Sequence, residues 1–231
     1  VLSVKERPSK SKSKREQVKM EIAILVYPRF AALDAVGPYE VFSRLPGAKV
    51  TFVAEHAQAY RTDTGQLALL ADATLDQLPR PEIVLVPGGP GQVSLMQDGP
   101  VHAWLRAADA GSTWTASVCT GSLILAAAGL LADKRATSNW QALDELRDLG
   151  AEVVPERFVF DGKYATSAGV TAGLDMALAL AAKIAGEQVA QAIQLGLEYD
   201  PQPPFDAGSP ESAPEEVVEI VRAVSRFERQ T

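Results

Sequence analysis

The sequence predicts an α/β protein built on a mostly parallel, doubly wound central sheet. Three observations carry this. Short apolar runs such as residues 21–27 and 83–87 lack the polar alternation of a half-exposed sheet, as strands covered on both faces do. Segments with helical spacing lie between such runs, so strands alternate with helices. Asp34, the Gly88 and Gly89 pair, and the Cys119 and Thr120 pair each follow the carboxyl end of a strand. Ligands of such sheets bind beyond that edge.

Residues 21–27 are the first strand. In the next segment Pro38 fits a helix's first turn, where a missing N–H costs nothing. Tyr39, Phe42 and Leu45 then share one face. Asp34 sits beside this helix start, in an apolar setting. It is either a helix-terminal charge or cap, or a partly desolvated carboxyl group able to exchange a proton with a reacting group. Residues 49–54 are a second strand, 55–64 a polar loop or hairpin, and 65–70 a short strand. Residues 83–87 run directly into Gly88, Gly89, Pro90 and Gly91. The spacing is neither Gly-x-Gly-x-x-Gly nor a phosphate loop ending in Gly-Lys-Ser/Thr. The cluster is therefore a tight turn, or a set of backbone N–H donors for an oxyanion.

Residues 100–110 form an amphipathic helix with Val101, Trp104, Leu105 and Ala108 inward. Residues 114–118 are rich in β-branched and aromatic side chains, as a short buried strand would be. Beyond them Leu123, Ile124, Ala127, Leu130 and Leu131 recur at helical spacing. Cys119, the single cysteine, sits at the change of period, and Gly121 leaves room for a tight turn. A strand that turns sharply into a helix lifts one side chain out. That is the logic of the nucleophile elbow, here with Cys in place of Ser. The helix N-terminus then favours a thiolate and a developing oxyanion. The competing reading is a buried structural thiol.

The rest of the chain continues the alternation. Residues 135–140 read as a short strand and turn, and 141–149 as a helix that Gly150 ends. Residues 153–154 and 158–160 are short strands. Asp161 and Gly162 signal a hairpin, with 164–167 as its return strand. Helices follow over 171–185 and 187–197. An extended, proline-held segment over 197–210 leads to a last amphipathic helix over 215–229, with Val217, Val218, Ile220, Val221 and Val224 apolar.

Composition bounds the function. Hydrophobic residues make up 47% of 231, an ordinary globular value. The ten residues 123–132 form the longest apolar stretch even with Gly129 included, which is too short for a bilayer. No apolar signal core lies in the first twenty residues, and one cysteine permits no internal disulfide, so a cytoplasmic location is expected. The net charge is −7 overall and +5 over residues 1–20, hence −12 on the remainder. An acidic body argues against nucleic acid as the partner. The basic residues 1–19 read as a disordered, solvated extension, and 20–231 as one domain.

A cysteine nucleophile needs a group to handle its proton. The two histidines, His56 and His102, are expected to be surface or half-exposed residues away from the ligand-binding edge, and no metal-ligand cluster exists. What remains is a Cys119–Asp34 pair. Two acids at one site hold a proton between them. A thiolate beside a neutral carboxylic acid suits attack on an electrophilic carbon whose product must be protonated.

At Val86-Pro87-Gly88-Gly89 and Val118-Cys119-Thr120-Gly121-Ser122, followed by Ala128-Gly129-Leu130-Leu131 and Arg135-Ala136-Thr137, the chain resembles the ThiJ/PfpI superfamily, over about residues 20–210. Leu33-Asp34-Ala35-Val36-Gly37-Pro38, Cys119-Thr120-Gly121 and Glu198-Tyr199-Asp200-Pro201-Gln202-Pro203-Pro204-Phe205 resemble its isonitrile hydratase-like branch. That branch overlaps the N-terminal domains of some AraC-type regulators. The resemblance implies a flavodoxin-like three-layer sandwich of the class I glutamine amidotransferase-like kind, usually a homodimer. It implies Cys119 as nucleophile, Asp34 as the neighbouring acid and Thr120 as an essential contact. Gly89 and the Thr120 N–H would form an oxyanion-type pocket, with Gly88, Gly121 and Asn139 beside it. It further implies a small-molecule substrate, no cofactor and no metal: water adds to R–N≡C to give an N-substituted formamide.

Two departures bear on this. Many relatives have His where this chain has Asn139. About 21 residues follow Pro210, too few for the helix-turn-helix domain of the regulators, so DNA binding by that route is not expected. The alternatives are a redox or small-molecule sensor using the same pocket, and glyoxalase- or deglycase-type chemistry. Relatives with the latter chemistry normally carry Glu at the Asp34 position and His after the cysteine.

Overall fold

A computed structural model describes residues 20–224. The basic tail and the end of the last predicted helix lie outside the described residues. In chain order the elements begin with β1 (Met20–Leu25), α1 (Ala32–Phe42), β2 (Ala48–Ala54), β3 (Ala59–Arg61), β4 (Ala68–Leu70), β5 (Ala73–Thr74) and β6 (Ile83–Val86). They continue with α2 (Pro100–Asp109), β7 (Trp114–Val118), α3 (Gly121–Ala127), β8 (Arg135–Ala136), α4 (Leu143–Asp148) and β9 (Glu152–Val153). The last are β10 (Phe158–Asp161), β11 (Tyr164–Ser167), α5 (Ala172–Ala185), α6 (Glu187–Gly196) and α7 (Glu215–Ala223).

Seven strands make the main sheet, in the order β10-β11-β7-β6-β1-β2-β5. Every neighbouring pair is parallel except the edge hairpin of β10 and β11. The apolar runs of β1 and β6 are buried along almost their whole length because helices cover both faces. Helices α1, α5 and α6 pack together on one face, while α2, α3 and α4 pack on the other. The result is the doubly wound, mostly parallel sheet that the alternation of elements predicts, in the flavodoxin-like three-layer sandwich that the resemblance implies. The strand order reverses between β1 and β6, so the crevice at that switch point opens between the segments after β1 and after β6. Asp34 comes from the first and Gly88 from the second.

Several boundaries depart from the predicted ones. Helix α1 starts at Ala32, so Pro38 lies inside it rather than in its first turn. The proline ring keeps a helical φ but removes the donor that a helix would aim at the Asp34 carbonyl. Residues 55–70 form the hairpin of β3 and β4, whose strands cover only part of the range. The predicted helix over 141–149 divides into a 3-10 turn at Trp140–Ala142 and α4.

His102 is a clear correction. It is 1% exposed on α2 rather than at the surface. Helix α2 is covered by α3 on one side and by the 3-10 turn at Leu75–Gln77 on another, which widens its buried arc beyond the Val101, Trp104, Leu105 and Ala108 stripe. Burial lowers the pKa of His102, against an opposing pull from Asp98. His56 is exposed, as expected. Among the described residues no helix is long and apolar enough to cross a membrane.

Candidate active site

Strand β7 ends at Val118, and the next residue turns the chain back on itself. Cys119 has φ +56°, a left-handed conformation that costs a non-glycine residue on the order of 1–3 kcal/mol. The surroundings over-determine it. Its N–H donates to the Ser167 carbonyl at 3.0 Å and to that of Ala168 at 3.3 Å. Its own carbonyl accepts the hydroxyls of Ser122 at 3.1 Å and Ser138 at 3.0 Å. The elbow also needs room for neighbouring backbone. A Cβ on Gly121 would stand 2.0 Å from the Val86 carbonyl oxygen, and one on Gly88 would stand 2.5 Å from the Thr120 nitrogen. Glycine at both positions lets the ends of β6 and β7 touch.

Asp34 is the third residue of α1 and has no exposed surface. Its Oδ2 accepts the Gly88 N–H at 3.0 Å. Burial pushes its carboxyl up to about 7. The Gly88 N–H and the Cys119 thiol pull the other way, and the charge of Asp63 adds to the rise. The Cys119 thiol is itself pushed well above the ordinary range, by burial and then by Asp34. The Thr120 N–H, the Asn139 amide and the Thr120 hydroxyl oppose that rise. The order of ionisation thus reverses the expected one: Asp34 ionises before Cys119. Helix α3 has only seven residues, and its N-terminal field is outweighed by desolvation and the adjacent carboxylate. Tyr27 closes the buried side. Its hydroxyl donates to the Pro87 carbonyl at 2.8 Å, and burial with Asp34 and Cys119 holds it as a phenol.

The predicted pocket residues divide by what they touch. Cys119, Gly89 and Asn139 line a cavity of about 330 Å³, together with Ala31, Asp63, Pro90, Trp140, Gln141, Val170, Val221 and Val224. Gly88 and Gly121 do not line it. Gly88 holds Asp34, and Gly121 packs on β6. The Gly89 N–H donates to the Thr120 hydroxyl at 3.0 Å and so is aimed at that oxygen. Asn139 Oδ1 accepts the Gln141 N–H at 3.0 Å and caps the 3-10 turn, which leaves the amide nitrogen for the Cys119 sulfur. Asp34 lies behind Cys119 and is not part of the cavity wall.

Sequence reasoning did not find Asp63, Trp140, Gln141 or Val170 as neighbours of Cys119. They come from short turns with no periodic signal. Val221 and Val224 were visible as part of an apolar helix face, but nothing local connects that face to Cys119. Among the described residues no group of His, Cys, Asp and Glu is placed to hold a metal ion.

A model of the DJ-1/PfpI family matches residues 20–183, from β1 into α5. The chain belongs to this family. It is 43% identical over 203 residues to an isonitrile hydratase of Pseudomonas putida, covering 88% of this chain and 89% of that protein. It superposes on the crystal structure of a ThiJ/PfpI family protein from Pseudomonas syringae with a TM-score of 0.87 at 37% identity, covering 96% of this chain and 94% of the other. It is also 31% identical over 182 residues to the HTH-type transcriptional regulator CdhR of Pseudomonas aeruginosa, covering 72% of this chain but 51% of the regulator. The match to the hydratase runs well past the family segment.

Proposed function

We propose that this member of the DJ-1/PfpI family is an isonitrile hydratase-like lyase, which adds water to R–N≡C and releases an N-substituted formamide. The observation that carries this reading is the buried Cys119–Asp34 pair, which holds a proton at a strained elbow with no histidine on the cavity wall. The 43% identity to an isonitrile hydratase supports it.

The chemistry follows from the pair. Asp34, as carboxylate, takes the thiol proton while Cys119 Sγ attacks the terminal carbon of the isonitrile. The carboxylic acid so formed gives that proton to the same carbon, and the product is the thioimidate R–N=CH–S–Cys119. Asp34, ionised again, takes a proton from water as its oxygen adds to the carbon, and passes it to the nitrogen. The C–S bond then breaks, the hydroxyl proton returns through Asp34 to sulfur, and R–NH–CHO leaves. A group with a pKa of about 7 is matched to both directions of transfer at neutral pH. The Asn139 amide and the Thr120 N–H support the anionic sulfur in each half-reaction.

A peroxide-sensing role is less well supported, because burial and Asp34 hold the thiol protonated and oxidation selects accessible thiolates. The test is detection of N-cyclohexylformamide by mass spectrometry after incubation with cyclohexyl isocyanide. Wild type is expected to form it, and Cys119→Ala and Asp34→Ala are expected not to. No formamide from folded wild type, or undiminished formation by either variant, would sink the reading.

A further inference from the structure

The last helix carries apolar side chains that the core does not use. None of the residues of α7 is buried, yet Val217 and Val221, with Val224 at the helix's C-cap, follow an i, i+4, i+7 spacing that places them on one side. Val221 is 41% and Val224 68% exposed, and both line the cavity that contains Cys119. The helix is held there by the turn that carries Asn139. Gln141 Nε2 donates to the Val221 carbonyl at 3.3 Å, and the Arg222 guanidinium lies 5.5 Å from the centre of the Trp140 ring.

From this placement we infer that α7 forms the selectivity wall of the site, where Val221 and Val224 receive the apolar substituent of the isonitrile. The inference rests on the hydratase reading and adds to it the residues that choose the substrate. An isonitrile is a rod, linear at C–N–C, and Sγ meets its terminal carbon at an angle to that axis. Cys119 is 1% exposed and packed by backbone at the elbow, so the substituent has room only on the cavity side of Sγ. Besides the polar Cys119, Asn139, Asp63 and Gln141, the cavity is lined by the large apolar side chains Trp140, Val170, Val221 and Val224, and the three valines are also the exposed ones. A bulky hydrocarbon group would cover the exposed valine surface and gain from its removal from water. A short alkyl group would reach less of it. Helix α7 lies beyond residues 20–183, so members of the family that differ here can share the elbow and differ in substrate.

The test compares wild type with the Val221→Ser/Val224→Ser double variant. Both positions are exposed, so the fold is expected to tolerate the change. The readout is the ratio of kcat/KM for cyclohexyl isocyanide to that for ethyl isocyanide. We expect the ratio to fall about tenfold, the scale on which a hydrophobic wall discriminates a few methylenes. A ratio within about twofold of wild type would overturn the inference. If wild type hydrates neither compound, the hydratase reading fails separately, and calorimetric binding of N-cyclohexylformamide decides the wall. Binding to wild type that weakens about tenfold or more in the variant upholds it. Equal binding, no binding to wild type, or a change confined to oligomeric state would assign the valine stripe to something else.

Discussion

The backbone N–H of Gly88 donates to Asp34 Oδ2 at 3.0 Å, and this one bond ties the end of β6 to the first turn of α1 across the sheet's switch point. It gives a buried carboxylate a charge-assisted donor, but one donor does not offset complete burial. The carboxyl therefore stays at about 7, while Cys119 beside it stays a thiol. Fold stability and proton transfer draw on the same residue in opposite directions.

Asp34→Asn separates the two. In wild type the folded pKa of about 7 lies above the ordinary aspartate value of 3.8, so between those values the native state holds a proton that the unfolded state has released. Stability consequently falls as pH rises through that window. The cost at pH 8 is on the order of 4 kcal/mol at most, accumulated at about 1.4 kcal/mol per pH unit across that window. Asn can still accept the Gly88 N–H and has no charge to bury. The variant should lose hydratase activity by at least about 100-fold. It should also show a stability advantage over wild type that is larger at pH 8 than at pH 5. Urea unfolding at the two pH values measures this, and an advantage that does not grow with pH refutes it.

Asp63 lines the cavity and raises the Asp34 pKa through its charge. Asp63→Asn removes that charge, so Asp34 should ionise at lower pH. The acid limb of the kcat/KM profile for cyclohexyl isocyanide should move to lower pH, with the basic limb moving less. A pH–rate series on the variant checks this. An unmoved acid limb would mean that Asp34 is not the group titrating there.

The elbow glycines predict a graded series. Gly121→Ala would place a methyl group 2.0 Å from the Val86 carbonyl oxygen, with backbone on both sides and no flexible side chain to yield. A loss of several kcal/mol is expected, on the order of 3 or more, by forced separation of β6 and β7. Gly129→Ala is the control. Gly129 also has a positive φ, of +80°, but nothing lies within 4 Å of its added Cβ. Its cost should be about 1 kcal/mol, from backbone strain alone. Thermal melts of the two variants give the ordering directly.

The same contrast explains what the sequence could and could not disclose. The change of period at Cys119 is local: a β-branched run, then a helical stripe, with glycine between them. The strained φ of Cys119 matches that reading. The run of β6 into Gly88 and Gly89 is equally local. Pro38 misled because a proline marks a first turn only when no earlier residue starts the helix, and Ala32 does. His102 is buried because the 3-10 turn at Leu75–Gln77 and α3 both pack on α2, a consequence of topology that no window along the chain contains. The valines at α7 were legible as an amphipathic face, but what that face meets is decided 80 residues or more away, at Trp140 and Gln141. Gly88 and Gly121 were legible as special positions, yet their work is holding Asp34 and admitting backbone rather than lining the cavity.

Asn139 offers the sharpest test of how the thiol is controlled. Its Oδ1 accepts the Gln141 N–H, which fixes the amide so that the nitrogen serves Cys119 and favours the thiolate. Asn139→Asp keeps an oxygen for the Gln141 N–H, and with it the cap and the turn that α7 rests on. It replaces the donor on the sulfur side by an acceptor that carries negative charge. The Cys119 pKa should rise further, because a like charge disfavours the thiolate and a supporting hydrogen bond is gone. The rate of alkylation of Cys119 by iodoacetamide, measured from pH 6 to 10, should therefore fall across the range, by about tenfold or more at neutral pH for each pKa unit gained. The melting temperature should change little if the cap survives. Alkylation as fast as in wild type would show that the Asn139 amide does not support the sulfur, and would leave the Thr120 N–H as the group that does.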